Sequence, residues 1–323
     1  MMSKEFSAPF IKSNFTSRNI MLDVIIALIP VSVMAVVNFG IRSLMMILLG
    51  VVSAVFFEYA YQKVLKKEIT INDLSAAVTG LLLGLSLPST APLWVVVFGT
   101  AVAILFVKQL PGGIGKNSLN PAVFSRVLIK ILFTPQITNW VLPGPDAVSA
   151  ATPLSFIGDG SKNIPAMAPS FYDVFMGNIG GNVGEMVKWA IILGFAYLVL
   201  RKVIDFWIPV ATLSGLFLTT LLFGESDYSF ALYHVLSGTA MFAAVFMVTD
   251  YTSGPLNKKA RIYYALSIGI LTGIIRYVFA LPGGIGIAIL TMNLMAPMLD
   301  AICTPRAFGH KGRIIPLSAV FRR

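Results

Sequence analysis

About ten long apolar stretches, most of them near the ~20 residues a helix needs to cross a bilayer, leave this chain few ways to fold. They run over 20–38, 43–61, 73–88, 93–110, 118–134, 186–200, 206–223, 230–249, 262–281 and 285–303. Soluble domains carry about 25% charged residues; here the share is 12%, too little to solvate a chain of 323 residues. In lipid every backbone polar group must be satisfied inside the chain, which favours helices. The expected fold class is therefore all-α: a polytopic membrane protein of about ten transmembrane helices. The stretches 73–88 and 118–134 are short or interrupted by polar residues, a frequent mark of binding sites in membrane proteins. No small-residue cleavage site follows the first apolar stretch, which reads as a retained span.

The net charge of +10 would suggest nucleic acid in a soluble protein. Here the basic residues flank the apolar stretches and form no patch with interleaved aromatics, so no nucleic-acid partner is expected. Their distribution sets an orientation instead. With the N-terminus cytoplasmic, that face gathers Lys4, Lys12, Arg18, Lys63, Lys66, Lys67, Lys108, Lys116, Arg201, Lys202, Lys258, Lys259 and Arg261, and a tail with Arg306, Lys311, Arg313, Arg322 and Arg323. The other face receives Arg42, Lys162 and Lys188. Both termini are then cytoplasmic. Arg126, Lys130 and Arg276 fall inside spans, where they should face the protein interior or snorkel. Cys303 is the sole cysteine, and His234 and His310 lack metal-ligand spacing, so neither a disulfide nor a metal site is expected.

Leu110-Pro111-Gly112-Gly113-Ile114-Gly115 recurs as Leu281-Pro282-Gly283-Gly284-Ile285-Gly286, and Val78-Thr79 recurs as Val248-Thr249 at nearly the same offset. A duplicated five-span unit follows. An odd number of spans inverts the second copy, and inverted repeats commonly build a site between their halves. The expected organisation is a first repeat at 1–134, an outer loop at 135–185, a second repeat at 186–305 and a basic tail at 306–323. The loop is rich in Pro, Gly, Ser and Asn and holds Asp146, Asp159 and Asp173; loops of this length are usually functional or disordered.

Within it lies Asp146-Ala147-Val148-Ser149-Ala150-Ala151-Thr152-Pro153-Leu154. Ala151 and its small neighbours leave the Thr152 hydroxyl open, and Pro153 biases Thr152 to an extended backbone. Asp146 and Ser149 add polar groups. That suits a site modified by another enzyme, although physics alone equally allows an ordinary Asx or Ser turn. Asn117 and Asn120, three apart at the head of a span, could share a helical face and bind a ligand, or one could cap the helix. Asp250 could assist a ligand or cation, or be solvated beside Lys258 and Lys259.

The run from Asp146 to Leu154 resembles the flavinylation motif of the D subunit of Rnf electron-transport complexes and of its homologue, the B subunit of sodium-pumping NADH:quinone reductase. The stretches Gly112–Ala122 and Met247–Pro255 resemble two further signatures of that family, in the same order. Position 150 is Ala where many members have Gly. The resemblance implies FMN joined by a phosphoester to Thr152, attached by a dedicated flavin transferase. Asp146, Ser149, Ala151 and Pro153 would surround it. It implies a non-covalent riboflavin near Asn117 and Asn120, with Asp250 close by. It also implies partners, the A, B, C, E and G subunits of an Rnf complex in a bacterial or archaeal plasma membrane. The phosphate gives Arg126, Lys130 and Arg276 a possible role, with partner contacts as the alternative.

The expected function is thus electron relay within a redox-driven Na⁺ or H⁺ translocase, a ferredoxin:NAD oxidoreductase. The chain is not catalytic alone, and without a Rossmann glycine fingerprint it should leave NAD to another subunit. The chain lacks the N-terminal extension of the quinone-reductase subunit, which favours the Rnf form. That subunit, and an inverted-repeat solute transporter or channel, stand as alternatives.

Overall fold

The structure is a computed structural model that describes residues 16–144, 148–157, 164–225, 227–281 and 283–303. Asp146, Asp159, Lys162, His310 and the 306–323 tail lie outside these residues. The described chain is helical, with one isolated bridge between Val141 and Ser149.

α1 (Ser17–Phe39) starts under the Thr16 hydroxyl, which accepts from the Asn19 N–H. It ends at Gly40, whose φ of 67° lets α2 (Ile41–Val64) begin at the next residue. α3 (Ser75–Leu85) is buried along its whole length. α4 (Leu93–Ala101) continues as a π-helical segment, Val102–Gln109. α5 (Pro121–Leu132) follows the first Pro-Gly-Gly turn, and the short α6 (Thr134–Ile137) and α7 (Phe171–Met176) lie beyond it. The second half holds α8 (Lys188–Leu200), α9 (Trp207–Phe223), α10 (Tyr228–Leu236), α11 (Ala240–Phe246), α12 (Lys258–Val278) and α13 (Gly284–Cys303). Every one of the apolar stretches read from the sequence thus holds a helix.

Lengths refine that reading. By length and composition α1, α2 and α13 can each cross a membrane unbroken, and α10 with α11 forms an apolar pair bent by 58°, the shape of a broken span or a re-entrant loop. The shorter apolar helices α3, α4, α8 and α9 are packed among them. α2 meets α3 so closely that a Cβ on Gly80 would stand 2.2 Å from the Gly50 carbonyl oxygen. α9 meets α12 in the same way, with a Cβ on Gly269 falling 2.1 Å from the Thr212 oxygen. Small residues that bring helix backbones together are the usual membrane packing device. The outer surface is apolar: Ile29, Val33 and Val37 expose half or more of their area along one face of α1, and Leu48, Val52 and Phe56 do so on α2. Such faces suit lipid or partner helices.

The segment read as an outer loop, 135–185, sends Ile137, Leu154, Ile157, Val174, Ile179 and Val183 into the core, because each supplies an apolar side chain that the helix ends can cover. Two expectations need correction. Lys188, read as an outer-face charge, is fully buried, and Lys108, read as an inner-face charge, is 3% exposed. The two Leu-Pro-Gly-Gly copies do occupy corresponding connections, α4–α5 and α12–α13. The two Val-Thr copies do not: Val78 and Thr79 lie in the first turns of α3, whereas Val248 and Thr249 follow the last turn of α11.

Candidate functional site

Two cavities lie at opposite ends of α3. The one at its Ser75 end, the asparagine cavity, is lined by Val78, Thr79, Lys108, Asn117, Asn120, Thr249 and Asp250 and has an empty volume of about 770 Å³. The other, the threonine cavity, opens beside Ser86. It is lined by Arg126, Lys130, Trp140, Thr152 and Glu185 and is open to the outside, with about 640 Å³ of empty space, solvent included. α5 and α11 also run from one cavity to the other.

Asn117 and Asn120 do reach one cavity, but not from one helical face. Asn120 is the N-cap of α5: its Oδ1 accepts from the Ala122 and Val123 N–H groups at 3.1 and 3.2 Å, and Pro121 takes the first helical position. Its Nδ2 donates to the Met247 carbonyl at 3.2 Å. Asn117 precedes the helix. Its Nδ2 donates to the Leu119 oxygen and, at 3.0 Å, to Thr252 Oγ1. Its Oδ1 accepts no hydrogen bond among the described residues, so Asn117 retains an acceptor for a ligand while Asn120 is spent on capping. Asp250 organises the facing turn, accepting from the Thr252 N–H and hydroxyl and from the Ser253 hydroxyl. The two signature stretches are therefore stitched together across the halves.

A buried polar network borders the same cavity, and sequence reasoning missed it. Lys108 Nζ lies 2.7 Å from Glu58 Oε1 and donates to Ser75 Oγ at 2.6 Å; Gln109 Nε2 donates to Glu58 at 2.7 Å. Glu58 is fully buried. The available signal was a carboxylate inside an apolar run, which by default marks a paired or functional group. A second missed latch joins α1 to α8: Asp23 accepts from the Tyr197 hydroxyl at 2.9 Å and from Arg201 Nε at 3.2 Å.

At the threonine cavity, a hairpin-like pairing shapes the approach. Leu142 N–H donates to the Val148 oxygen and Ala150 N–H to the Trp140 oxygen. Ser149 sits in the bridge and is exposed, as is Ala151. Thr152 is extended, with φ −73° and ψ 151°, and a 3-10 turn over Pro153–Ser155 follows. Pro153 and Leu154 are buried; a Cβ on Gly238 would stand 2.5 Å from Leu154 Cδ1, so Leu154 plugs the gap between α10 and α11. The Thr152 hydroxyl makes no hydrogen bond among the described residues. The Ser155 hydroxyl is engaged, donating to the Thr152 carbonyl at 2.6 Å. Of Ser149, Thr152 and Ser155, Thr152 alone lines the cavity.

Arg126, Lys130 and Arg276 converge here rather than snorkelling apart. Arg276 fills the α10–α11 break, where Nη1 donates to the His234 oxygen at 2.6 Å and Nη2 reaches the Ser237 oxygen at 3.4 Å. A broken span frees carbonyls that must be re-satisfied, and Arg276 does so. Lys188 Nζ adds a bond to the Gly238 oxygen at 3.4 Å. Cys303 is unpaired, and no group of His, Cys, Asp and Glu among the described residues could hold a metal.

Apolar faces turned outward, broken and short helices packed within, and buried polar groups gathered at internal cavities define a polytopic membrane protein. The chain belongs to the NQR2, RnfD, RnfE family, whose profile matches residues 5–309. It is 37% identical to the D subunit of the Na(+)-translocating ferredoxin:NAD(+) oxidoreductase complex of Acetobacterium woodii, over 94% of each chain. It is 34% identical to the D subunit of the proton-translocating ferredoxin:NAD(+) oxidoreductase complex of Clostridium ljungdahlii, over 94% of this chain and 96% of that one. With the D subunit of the ion-translocating oxidoreductase complex of Yersinia pseudotuberculosis the identity is 32%, over 94% and 98%.

Proposed function

We propose that this chain is the D-type membrane subunit of an ion-translocating ferredoxin:NAD⁺ oxidoreductase and carries electrons through FMN held covalently on Thr152. Its partners are the A, B, C, E and G subunits of the same complex. Membership of the family and relatives of that name along nearly the whole chain support the complex. The observation that carries the cofactor site is local. Thr152 offers a hydroxyl without a hydrogen-bond partner among the described residues, on the wall of an open cavity also lined by Arg126, Lys130 and Glu185. That arrangement fits a group attached through oxygen and lodged beside the chain. Bound FMN would supply one- and two-electron redox chemistry; the protein's part is to fix its place.

Attachment is the work of the transferase. The Thr152 Oγ–phosphorus bond forms, the pyrophosphate bond of FAD breaks, AMP leaves and the hydroxyl proton passes to the transferase. Thr152 is half-buried and its neighbours Ala151 and Ser149 are exposed, which leaves an approach for that enzyme.

Riboflavin fits the asparagine cavity through Asn117, whose side-chain oxygen is free to accept from a flavin ring N–H. Asp250 orders the turn that holds Thr252 against Asn117. Replacing Asn117 and Asn120 together by Leu is expected to remove extractable riboflavin while Thr152 stays modified. The loss of the Asn120 cap adds a destabilisation of about 1 kcal/mol. Flavin content unchanged after unfolding and extraction would make both asparagines purely structural.

The halves 1–134 and 186–305 form inverted five-helix repeats around the 135–185 segment, in a plasma membrane with both termini and the 306–323 tail cytoplasmic. The asymmetry of Lys and Arg supports this orientation. Met167, 87% exposed, tests it. Met167→Cys should react with an impermeant thiol reagent from the outer face, and Lys67→Cys only after the membrane is opened. The reverse pattern would overturn the topology.

A further inference from the structure

The threonine cavity carries more positive charge than the described residues around it neutralise. Arg126 and Lys130, one turn apart on α5, both line it. Glu185 is the carboxylate that faces them, with Arg126 Nη2 3.9 Å from its Oε2. That carboxylate is already engaged, since the Asn182 N–H and Nδ2 donate to its two oxygens at 3.2 and 3.1 Å. Lys188 and Arg276 stand behind: Lys188 Nζ and the two Arg276 Nη groups donate to main-chain carbonyls, while the buried Arg276 Nε has no partner among the described residues. Lys130 Nζ has neither an acceptor nor a carboxylate in bonding reach among the described residues. Its side chain runs alongside Gly283, where an added Cβ would stand 2.6 Å from Nζ. Four cations thus surround one carboxylate in a membrane-embedded fold. Uncompensated charge is costly there, so the arrangement calls for an anion.

We propose that Arg126 and Lys130 bind the phosphate of the flavin group on Thr152 and seat that group in the cavity. The inference rests on the Thr152 reading. A phosphodiester carries one negative charge on two unesterified oxygens. The Arg126 guanidinium suits two such acceptors, and the Lys130 ammonium suits one as a point charge. Arg126, Lys130 and Glu185 together carry +1, which the phosphodiester of a modified Thr152 would offset.

The full chain, made with the flavin transferase and kept in detergent, gives two readings on one sample. Fluorescence of the denatured band reports attachment. Acrylamide quenching of the folded protein reports seating. Attachment should be equal in the wild type, Lys130→Gln and the Arg126→Gln/Lys130→Gln double variant. The quenching constant should rise about threefold or more in the double variant, less in Lys130→Gln, and stay near wild type in Lys130→Arg. Lys130→Gln breaks no hydrogen bond or ion pair among the described residues, and Lys130→Arg keeps the charge, so the two together separate loss of seating from loss of the fold. Quenching equal to wild type in the double variant would overturn the inference. So would loss of its covalent band, which would assign the cations to transferase docking. A dark wild-type band would sink the Thr152 reading itself, and this inference with it.

Discussion

Thr152→Ala should abolish the flavin-fluorescent band on a denaturing gel while the protein still accumulates in the membrane. The separation of the two effects follows from the local structure. The Thr152 side chain donates and accepts nothing among the described residues, so its removal breaks no internal bond. The fold around it is held by Pro153 and Leu154, which the variant keeps. A half-exposed side chain without bonds costs well under about 1 kcal/mol to truncate. The chemical effect is total, because a phosphoester needs the oxygen. Ser155→Ala is the matching control. Its hydroxyl is tied to the Thr152 carbonyl at 2.6 Å, so the band should remain. Electron flow through the complex should fall with Thr152→Ala and not with Ser155→Ala.

The largest effect on stability is expected at Glu58 and Lys108. Each is buried, and each holds the other, with Ser75, Gln62 and Gln109 filling the remaining sites. Glu58→Leu strands the Lys108 ammonium in an apolar interior, which typically costs about 3–5 kcal/mol. Lys108→Leu strands the carboxylate and should cost a similar amount. Replacing both by Leu removes the ions together, and such exchanges are often neutral or stabilising. Thermal unfolding in detergent should therefore show two crippled single variants and a double variant close to wild type. Two mild single variants would mean that water reaches the pair. If the double variant also loses ion transport while staying folded, the pair has a role beyond packing.

The helices were legible because apolar runs of span length admit little else. What escaped was the fate of charged residues at their ends. Lys108 and Lys188 sit next to loops in the sequence, and the charge rule places such residues at the membrane surface. Only the fold shows that the last turn of the π-helical segment brings Lys108 to Glu58, and that Lys188 turns toward the α10–α11 break. Glu58 and the Gly238 carbonyl each lie about fifty residues from their lysine, so no spacing announces these contacts. Asn120 was partly legible: Asn followed by Pro is the signature of an N-cap with Pro at the first helical position, and that capping is what the fold contains. Asn117 was not, because its partner Thr252 lies in the other half. The sequence suggested an accessible motif around Thr152 and gave no sign of the cavity wall on which the fold sets it. The cations that face it come from α5, a different element, and Leu154 docks into a helix break that periodicity does not reveal. Asp146, the first residue of the motif, lies outside the described residues.

The most direct measurement is the mass of the peptide containing Thr152, taken from chain produced together with the flavin transferase. Fragmentation should place on Thr152 an added mass equal to FMN less one water, with Ser149 and Ser155 unmodified. A peptide of unmodified mass from protein exposed to active transferase, or the added mass on either serine, would contradict covalent flavin at Thr152.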